Sequence, residues 1–71
     1  MTLSEQVSQN LRRARARRKL SQSALAEKAG LAVSYISMLE RGKRSPPLDT
    51  LDALATALGV PPAKLLGSST P

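Results

Sequence analysis

Most of the charged side chains in this sequence are cations. The chain of 71 residues has 11 lysines and arginines, five acidic residues, no cysteine and no histidine. These counts exclude a disulfide, a thiolate or imidazole metal site, and a serine–histidine catalytic pair. The five carboxylates are dispersed along the chain, so no two of them are placed for general acid–base catalysis. We therefore expect anion binding instead of enzyme activity, and no metal or cofactor.

The formal net charge of +6 favours a polyanionic partner, either a nucleic acid or an anionic membrane surface. No apolar run approaches the roughly 20 residues needed to span a bilayer, and the N-terminus lacks the apolar segment of a signal peptide. Tyr35 is the only aromatic residue, whereas proteins that bind single strands stack bases on several rings. We expect double-stranded DNA as the partner, no membrane association, and a cytoplasmic location in a bacterium or a phage-infected cell.

Residues 21–42 predict two short helices joined by a tight turn. Ser21 is a favourable N-cap for the first helix, and Gly30 and Gly42 supply the left-handed residue at which a helix commonly ends. The apolar positions that recur at helical spacing are Leu25, Ala26, Ala29, Ile36 and Leu39. This spacing is that of a helix-turn-helix whose second helix would lie in the major groove of DNA, although an αα-hairpin that binds nothing has the same pattern.

At these residues the sequence resembles the phage Cro/repressor-like (XRE-type) helix-turn-helix regulators. The resemblance covers about residues 5–66 and is carried by Arg15, Leu20-Ser21-Gln22, Leu25-Ala26, Gly30, Ile36, Leu39-Glu40-Arg41-Gly42, Pro46, Leu51 and Ala57-Leu58-Gly59-Val60. It implies an all-α fold, a compact bundle of five helices with a central helix-turn-helix. We place this domain at residues 1–66 and expect residues 67–71, which lack apolar side chains, to form a disordered tail.

Capping residues and apolar periodicity predict the flanking helices. Thr2 and Glu5 have the spacing of a capping box, with Ser4 as a competing N-cap. Apolar residues at 7, 11 and 14 form one stripe on a first helix that we expect to end near Lys19. Pro47 is expected to start the fourth helix, and Gly59 to end it. The apolar stripe of that helix is Leu48, Leu51, Leu54, Ala55 and Leu58. A last short turn is expected at residues 63–66.

In the resembled family, an arginine at the position of Arg15 pairs with the glutamate of the Leu-Glu-Arg-Gly run, here Glu40. Glu40 directly follows Leu39, which faces the core, and an unpaired carboxylate beside a DNA-binding surface would repel phosphates. We therefore interpret Arg15 and Glu40 as a structural ion pair and not as a DNA contact.

The second helix of the motif, about residues 33–41, presents few strong base readers. Its predicted outward residues are Ala32, Val33, Ser34, Ser37 and Met38. Alanine and valine can contact a thymine methyl and serine can bond several bases, but the bidentate readers that the family favours are missing from this set. Ala32 also stands where a serine or threonine usually caps this helix, so we expect packing to position the helix more than its cap does.

A second group of residues is expected to bind DNA phosphates. Its members are Gln22, Ser23, Tyr35, Arg41, Lys43 and Arg44. Gln22 begins a helix whose free N–H groups also favour an anion, and Lys43 and Arg44 directly follow the recognition helix. Other interpretations stay open. Arg41 could read a base, Tyr35 could pack on a neighbouring loop, and the loop cations could simply be solvated. The arginines at 12, 13 and 17 could each either bind phosphate or be solvated.

These residues favour a sequence-specific transcriptional regulator without a small-molecule effector. One such helix reads few base pairs, so we expect a homodimer on an inverted-repeat operator, with the interface at Leu48, Leu65 and Leu66. Two alternatives remain. The first is an antitoxin or accessory protein whose main partner is another protein, and the second is a basic helical module without sequence preference.

Overall fold

The computed structural model describes residues 2–67 and arranges them as five α-helices, with no β-strand in that range. The helices are α1 (Leu3–Arg17), α2 (Gln22–Ala29), α3 (Val33–Glu40), α4 (Leu48–Leu58) and α5 (Ala63–Leu66). The predicted all-α, five-helix fold is confirmed, and α2 and α3 are the predicted helix-turn-helix. Of the expected C-terminal tail, residues 68–71 lie outside the described residues.

One apolar core joins all five helices. Helix α1 packs against α3 and α5, and α2 packs against α3 and α4. The buried apolar residues are Val7, Leu11, Leu25, Ala26, Ile36, Leu39, Leu51, Leu54, Ala55, Leu58 and Leu65. Most of them are leucine or alanine, which are strong helix formers, so the residues that favour the helices also fill the core. Helix α3, the second helix of the helix-turn-helix, thus packs on the rest of the domain through its apolar face.

Helices α1 to α4 each end in a Schellman motif, in which a residue with positive φ follows the last helical turn and two backbone N–H groups bond back to it. In α2, α3 and α4 this residue is Gly30, Gly42 or Gly59, as predicted, with φ of 70–72°. At Gly59 a side chain would also collide with Arg18, whose Nη2 donates to the Gly59 carbonyl at 3.2 Å. The guanidinium of Arg18 therefore caps the C-terminal end of α4, where the helix dipole favours a cation.

In α1 the left-handed position is held by Lys19, with φ of 56°. The helix consequently ends at Arg17, before the predicted end near Lys19. Lys19 N–H donates to the carbonyl of Ala16 at 3.0 Å, and Leu20 N–H donates to that of Arg15 at 3.1 Å. Leu20 then packs against the core. The burial of this leucine holds the turn, although a left-handed lysine costs about 1–2 kcal/mol more than a right-handed one.

Helix α4 begins one residue later than predicted. Pro47 is its N-cap, with φ −60° and ψ 161°, and not its first helical residue. Leu48 lies in the first turn and is 78% exposed, so the apolar stripe of α4 begins at Leu51 and does not include Leu48. Asp49 lies in the same turn, where the helix dipole favours an acid.

An asparagine holds α5 to α1. Asn10 Nδ2 donates to the carbonyl of Leu65 at 2.9 Å and to that of Gly67 at 2.7 Å, so it satisfies carbonyls at the end of a short helix. Leu65 is 1% exposed and belongs to the core. Our expectation that Leu65 contributes to an interface between copies is therefore corrected, because its side chain is covered within the fold. Leu66, which is 37% exposed, keeps an outer surface.

Candidate nucleic-acid interface

The turn between α2 and α3 determines where the outer side of α3 lies. Ser21 Oγ accepts a hydrogen bond from Ala24 N–H at 3.0 Å and caps α2, as predicted. Ala32 is the N-cap residue of α3, and its side chain makes no capping hydrogen bond. The position of α3 is therefore set by the burial of Ile36 and Leu39 and by contacts at its C-terminal end, in agreement with the expectation from the sequence.

The residues predicted to read bases lie at the N-terminal end and along the outer side of α3. Ala32, Val33 and Ser34 are exposed, and Ser37 and Met38 are half-buried. Their side chains offer methyl groups, two hydroxyls and a thioether. This part of α3 therefore presents apolar surface and single hydrogen bonds but no charge.

Cations follow directly at the C-terminal end of α3. Arg41 is the C-cap residue and is exposed, and Lys43 and Arg44 are exposed in the loop beyond it. Ser4 Oγ and Ser45 Oγ form a hydrogen bond of 2.6 Å, so the first turn of α1 holds this loop in place. The exposed uncharged side chains thus lie at the N-terminal end of α3, and the cations lie at and just beyond its C-terminal end.

Glu40 joins α3 to the first helix. Arg15 Nε donates to Glu40 Oε2 at 2.6 Å and Arg15 Nη2 donates to Oε1 at 2.9 Å, so the pair expected from the family resemblance is present and bidentate. Arg15 Nη1 donates to the carbonyl of Leu20 at 2.9 Å, and Ser8 Oγ donates to the backbone carbonyl of Glu40 at 2.7 Å. Hydrogen bonding to Glu40 raises the pKa of Arg15 above its ordinary value.

Three of the predicted phosphate ligands differ in the contacts that their side chains make within the domain. Gln22 Nε2 donates to Glu40 Oε1 at 3.0 Å, a contact that the sequence did not suggest. The ring of Tyr35 is partly buried against the core, whereas Ser23 is exposed in the first turn of α2. The amide of Gln22 therefore belongs to the Glu40 network as well as to the start of α2.

The arginines of α1 are divided between two flanks of the helix. Ser8 contacts α3 and Asn10 contacts α5, and positions two apart in an α-helix point about 200° apart. Arg12 lies four residues after Ser8, and its Nε donates to the carbonyl of Ser8 at 3.4 Å. Arg13 and Arg17 lie three and seven residues after Asn10, so they are on the α5 flank. Of these three arginines, Arg12 is therefore the one on the flank that adjoins α3.

Comparison with known proteins identifies the family of this fold. The model of HTH_3, a helix-turn-helix family, matches residues 11–65. The chain belongs to the HTH_3 helix-turn-helix family. The resemblance to Cro/repressor-like regulators is thereby confirmed. As an HTH_3 domain, this region is a DNA-binding domain of a transcriptional regulator.

Relatives of this HTH_3 chain include phage and bacterial regulators. It is 44% identical over 64 residues to an immunity repressor protein of Bacillus phage phi105, a match that covers 90% of this chain but only 44% of the repressor. It is 42% identical over 66 residues to control protein C.SmaI of Serratia marcescens, covering 93% of this chain and 79% of that protein. The crystal structure of the restriction-modification controller protein C.AhdI from Aeromonas hydrophila superimposes with a TM-score of 0.84 at 40% identity, covering 87% of this chain and 94% of that one.

Two polar residues of α1 that support the HTH_3 motif were not foreseen from the sequence. Ser8 bonds the C-terminal end of α3, and Asn10 bonds the carbonyls of α5. Both are buried, although they are polar and lie between the apolar stripe positions Val7 and Leu11. A small polar residue next to such a stripe is the signal that could have indicated them, because buried polar groups need hydrogen-bond partners.

Two other features are not found among residues 2–67. None of the helices in this range is long and apolar enough to cross a bilayer. No three acidic side chains in it are grouped so that they could hold a metal ion.

Proposed function

We propose that the chain binds double-stranded DNA with sequence preference and regulates transcription, with α3 in the major groove. The observation that carries this proposal is the difference between the two ends of α3. Exposed uncharged side chains lie at its N-terminal end, and exposed cations follow its C-terminal end. In a helix-turn-helix the N-terminal residues of the second helix contact base edges, while neighbouring groups bind phosphates and position the protein.

The proposed base readers are Ala32, Val33, Ser34, Ser37 and Met38. The valine methyls suit the methyl group of thymine, and each serine hydroxyl can donate to or accept from a base edge. None of the five can make the bidentate contact that is worth about 1–3 kcal/mol of discrimination. We therefore expect one copy of the domain to read its site weakly.

The proposed phosphate ligands are Gln22, Ser23, Tyr35, Arg41, Lys43 and Arg44. The neutral donors among them lie on α2 and α3, and the three cations lie together at the end of α3 and in the following loop. Each cation that neutralises a phosphate releases counter-ions, so DNA affinity should fall steeply with salt concentration.

Weak reading by one copy supports a homodimer on an inverted-repeat operator. In such complexes the two half-sites are about 34–36 Å apart on one side of the duplex. The longest Cα extent of the domain is 28 Å, so the backbones of two copies at this spacing fit side by side without overlapping. Leu48 and Leu66 are exposed leucines on α4 and α5, and we propose them as the apolar part of the interface. Leu65 is not included, because it lies in the core.

The relatives support a role in gene regulation in a bacterium or a phage-infected cell. One is a phage immunity repressor, and others are control proteins, among them a restriction-modification controller. We therefore propose that the chain acts in the cytoplasm on the promoter of a prophage or of a restriction–modification operon.

Selection of bound sequences from a random duplex pool tests DNA recognition. The expected result is a pseudo-palindromic site that binds more tightly than random duplex in fluorescence anisotropy, at every salt concentration examined. Equal affinity for the selected and random duplexes, with the same steep salt dependence, would show a basic helical module without sequence preference and would overturn the proposal.

Sedimentation equilibrium at micromolar concentration tests the dimer. We expect Leu66→Glu to weaken self-association and the cooperativity of operator binding. The matched control is Leu3→Glu, which introduces the same charge at an exposed leucine of α1, outside the proposed interface. A wild-type chain that stays monomeric and binds DNA one copy at a time would contradict the homodimer while leaving DNA recognition intact.

A further inference from the structure

Gln22 has one end of its amide fixed by a neighbouring charge. Its Nε2 lies 3.0 Å from Glu40 Oε1. An ionised carboxylate accepts hydrogen bonds and has none to donate, so only the NH₂ end of the amide can face it. The Gln22 carbonyl oxygen is thereby turned away from Glu40.

We propose that Glu40 is a positioning residue for DNA binding, which orients the Gln22 amide so that the second N–H of Nε2 is available to a phosphate oxygen. An amide NH₂ group has two donors, and Glu40 takes one of them. A freely turning amide would present its carbonyl oxygen to the phosphate in part of its conformations, and two acceptors repel each other. The inference rests on the proposed function, because it concerns the phosphate contact of Gln22.

Arg15 makes a buried carboxylate compatible with a phosphate close by. Its guanidinium contacts both oxygens of Glu40, so the pair as a whole carries no net charge. Its third hydrogen bond goes to the carbonyl of Leu20, immediately before the N-cap Ser21 of α2. The same guanidinium therefore holds both α3 and the segment that enters α2. This fixes the position of Gln22, the first residue of α2.

The network couples two contacts with DNA that are separate in the sequence. A movement of the C-terminal end of α3 displaces the Glu40 carboxylate and, with it, the donor that Gln22 presents. Glu40 has almost no exposed surface, so it contributes to binding without touching DNA. Loss of the ion pair should consequently lower affinity for all duplexes alike and leave base preference unchanged.

A set of methionine variants tests this coupling, because methionine is close in size to glutamine, glutamate and arginine but has no strong hydrogen-bonding group. The variants are Gln22→Met, the double variant Arg15→Met/Glu40→Met, and the triple variant that combines all three. The double variant leaves the net charge unchanged, and replacing a buried ion pair by apolar residues of similar volume is often neutral for stability. The matched control is Gln6→Met, because Gln6 lies four residues before Asn10 on the α5 flank of α1.

We expect Gln22→Met to lower operator affinity about ten-fold, the low end for a hydrogen bond to a charged group. The double variant should lose part of this factor, because its untethered Gln22 amide still donates to the phosphate in some conformations, and the triple variant should bind no more weakly than Gln22→Met. The control should bind like the wild type. Two results would overturn the proposed coupling. In the first, the affinity losses of Gln22→Met and of the double variant multiply in the triple variant. In the second, the double variant binds the operator like the wild type. Neither result would contradict sequence-specific binding by the wild type. Absence of sequence-specific binding by the wild type would refute the proposed function itself.

A second measurement on the wild-type chain needs no substitution. NMR can follow the side-chain NH₂ protons of Gln22 in the absence of DNA. We expect them to exchange with solvent more slowly than those of Gln6, and the amide to hold a single orientation. Exchange as fast as that of Gln6 would show that Glu40 does not fix the amide and would overturn the inference even if the double variant failed to fold.

Discussion

The variant Arg15→Ala is expected to lower the stability of the domain without changing its preference among DNA sequences. The substitution removes three hydrogen bonds, two to the carboxylate of Glu40 and one to the carbonyl of Leu20. It leaves the Glu40 side chain, which is 4% exposed, without its counter-ion. Removing one partner of a buried ion pair costs about 3–5 kcal/mol. Because the Arg15 side chain is 23% exposed, water can enter the space it leaves, and we expect a loss of about 3 kcal/mol.

A loss of this size is large for so small a domain. At about 0.05–0.15 kcal/mol per residue, the whole free energy of unfolding is about 4–10 kcal/mol. Each kcal/mol shifts the melting temperature of a domain of this length by about 4–8 °C, so Arg15→Ala should melt about 12–24 °C lower. Thermal unfolding followed by far-UV circular dichroism measures the shift. The control is Arg15→Met/Glu40→Met, which leaves no unpaired charge and should melt within a few degrees of the wild type.

The ratio of affinities for operator and random duplex provides the second part of this test. Arg15 holds Glu40 and does not lie among the proposed base readers, so the ratio should stay the same at a temperature where the variant is folded. An unchanged melting temperature combined with a lost preference for the operator would refute the structural interpretation of Arg15 and identify it as a DNA contact.

Five further substitutions test separate features of the chain. Ala32→Ser should supply the missing cap of α3 and raise stability by about 0.5–2 kcal/mol in urea unfolding; no gain would mean that the first turn of α3 needs no cap. Lys19→Gly should stabilise by about 1 kcal/mol by relieving the left-handed lysine, and a loss of stability would contradict this. Lys43→Ala should weaken binding to every duplex and lower the salt slope by about 1, while Ser37→Ala should change base preference; the reverse pattern would exchange their roles. Hydrogen bonds from the N-cap residue of α1 lower the pKa of Glu5 below its ordinary 4.5, so its stabilising contribution is present above that value and disappears as the pH falls through the lowered pKa. The variant Glu5→Gln keeps a capping box and should lose this acid sensitivity, and an unchanged dependence of the melting temperature on pH would exclude Glu5 as its source.

The helices were predictable because their signals are local. The capping box of α1 lies within four residues, and its hydrogen bonds form as the spacing of Thr2 and Glu5 predicts. Gly30, Gly42 and Gly59 end three helices because each adopts a positive φ at little steric cost. A rule that concerns neighbours along the chain needs no knowledge of the tertiary fold.

The errors occurred where tertiary packing overrides the local pattern. Lys19 adopts a glycine-like conformation because Leu20 must return to the core. Leu48 has the spacing of the apolar stripe, but the turn that carries it is not covered. Leu65 and Leu66 are adjacent leucines of similar hydrophobicity, and only the packing of α5 against α1 decides which of the two is buried.

The ion pair and the hydrogen bonds that hold the candidate site in place were predictable only in part. The family resemblance indicated the pair of Arg15 and Glu40, which are 25 residues apart. The bonds from Ser8 and Gln22 to Glu40 span 32 and 18 residues, and no periodicity or capping rule links such positions. They follow from the packing of α1, α2 and α3 around Glu40, whose backbone carbonyl accepts from Ser8 and whose carboxylate accepts from Gln22; this packing is a property of the assembled fold.

The hydrogen bonds to Glu40 suggest how a helix whose proposed base contacts are weak could still discriminate between DNA sequences. Phosphate contacts set the register of a protein on DNA, and base contacts read sequence only when that register is right. In this domain four hydrogen bonds meet on Glu40 at the C-terminal end of α3, and one of them comes from Gln22, a proposed phosphate ligand. The N-terminal end of α3, which carries most of the proposed readers, has no side-chain cap. In the proposed complex, the base readers are therefore positioned relative to the phosphate backbone from the far end of the helix. We propose that a single methyl or hydroxyl contact at Val33 or Ser34 contributes to discrimination there, because it is presented at a defined distance from the phosphates and not by a freely moving segment.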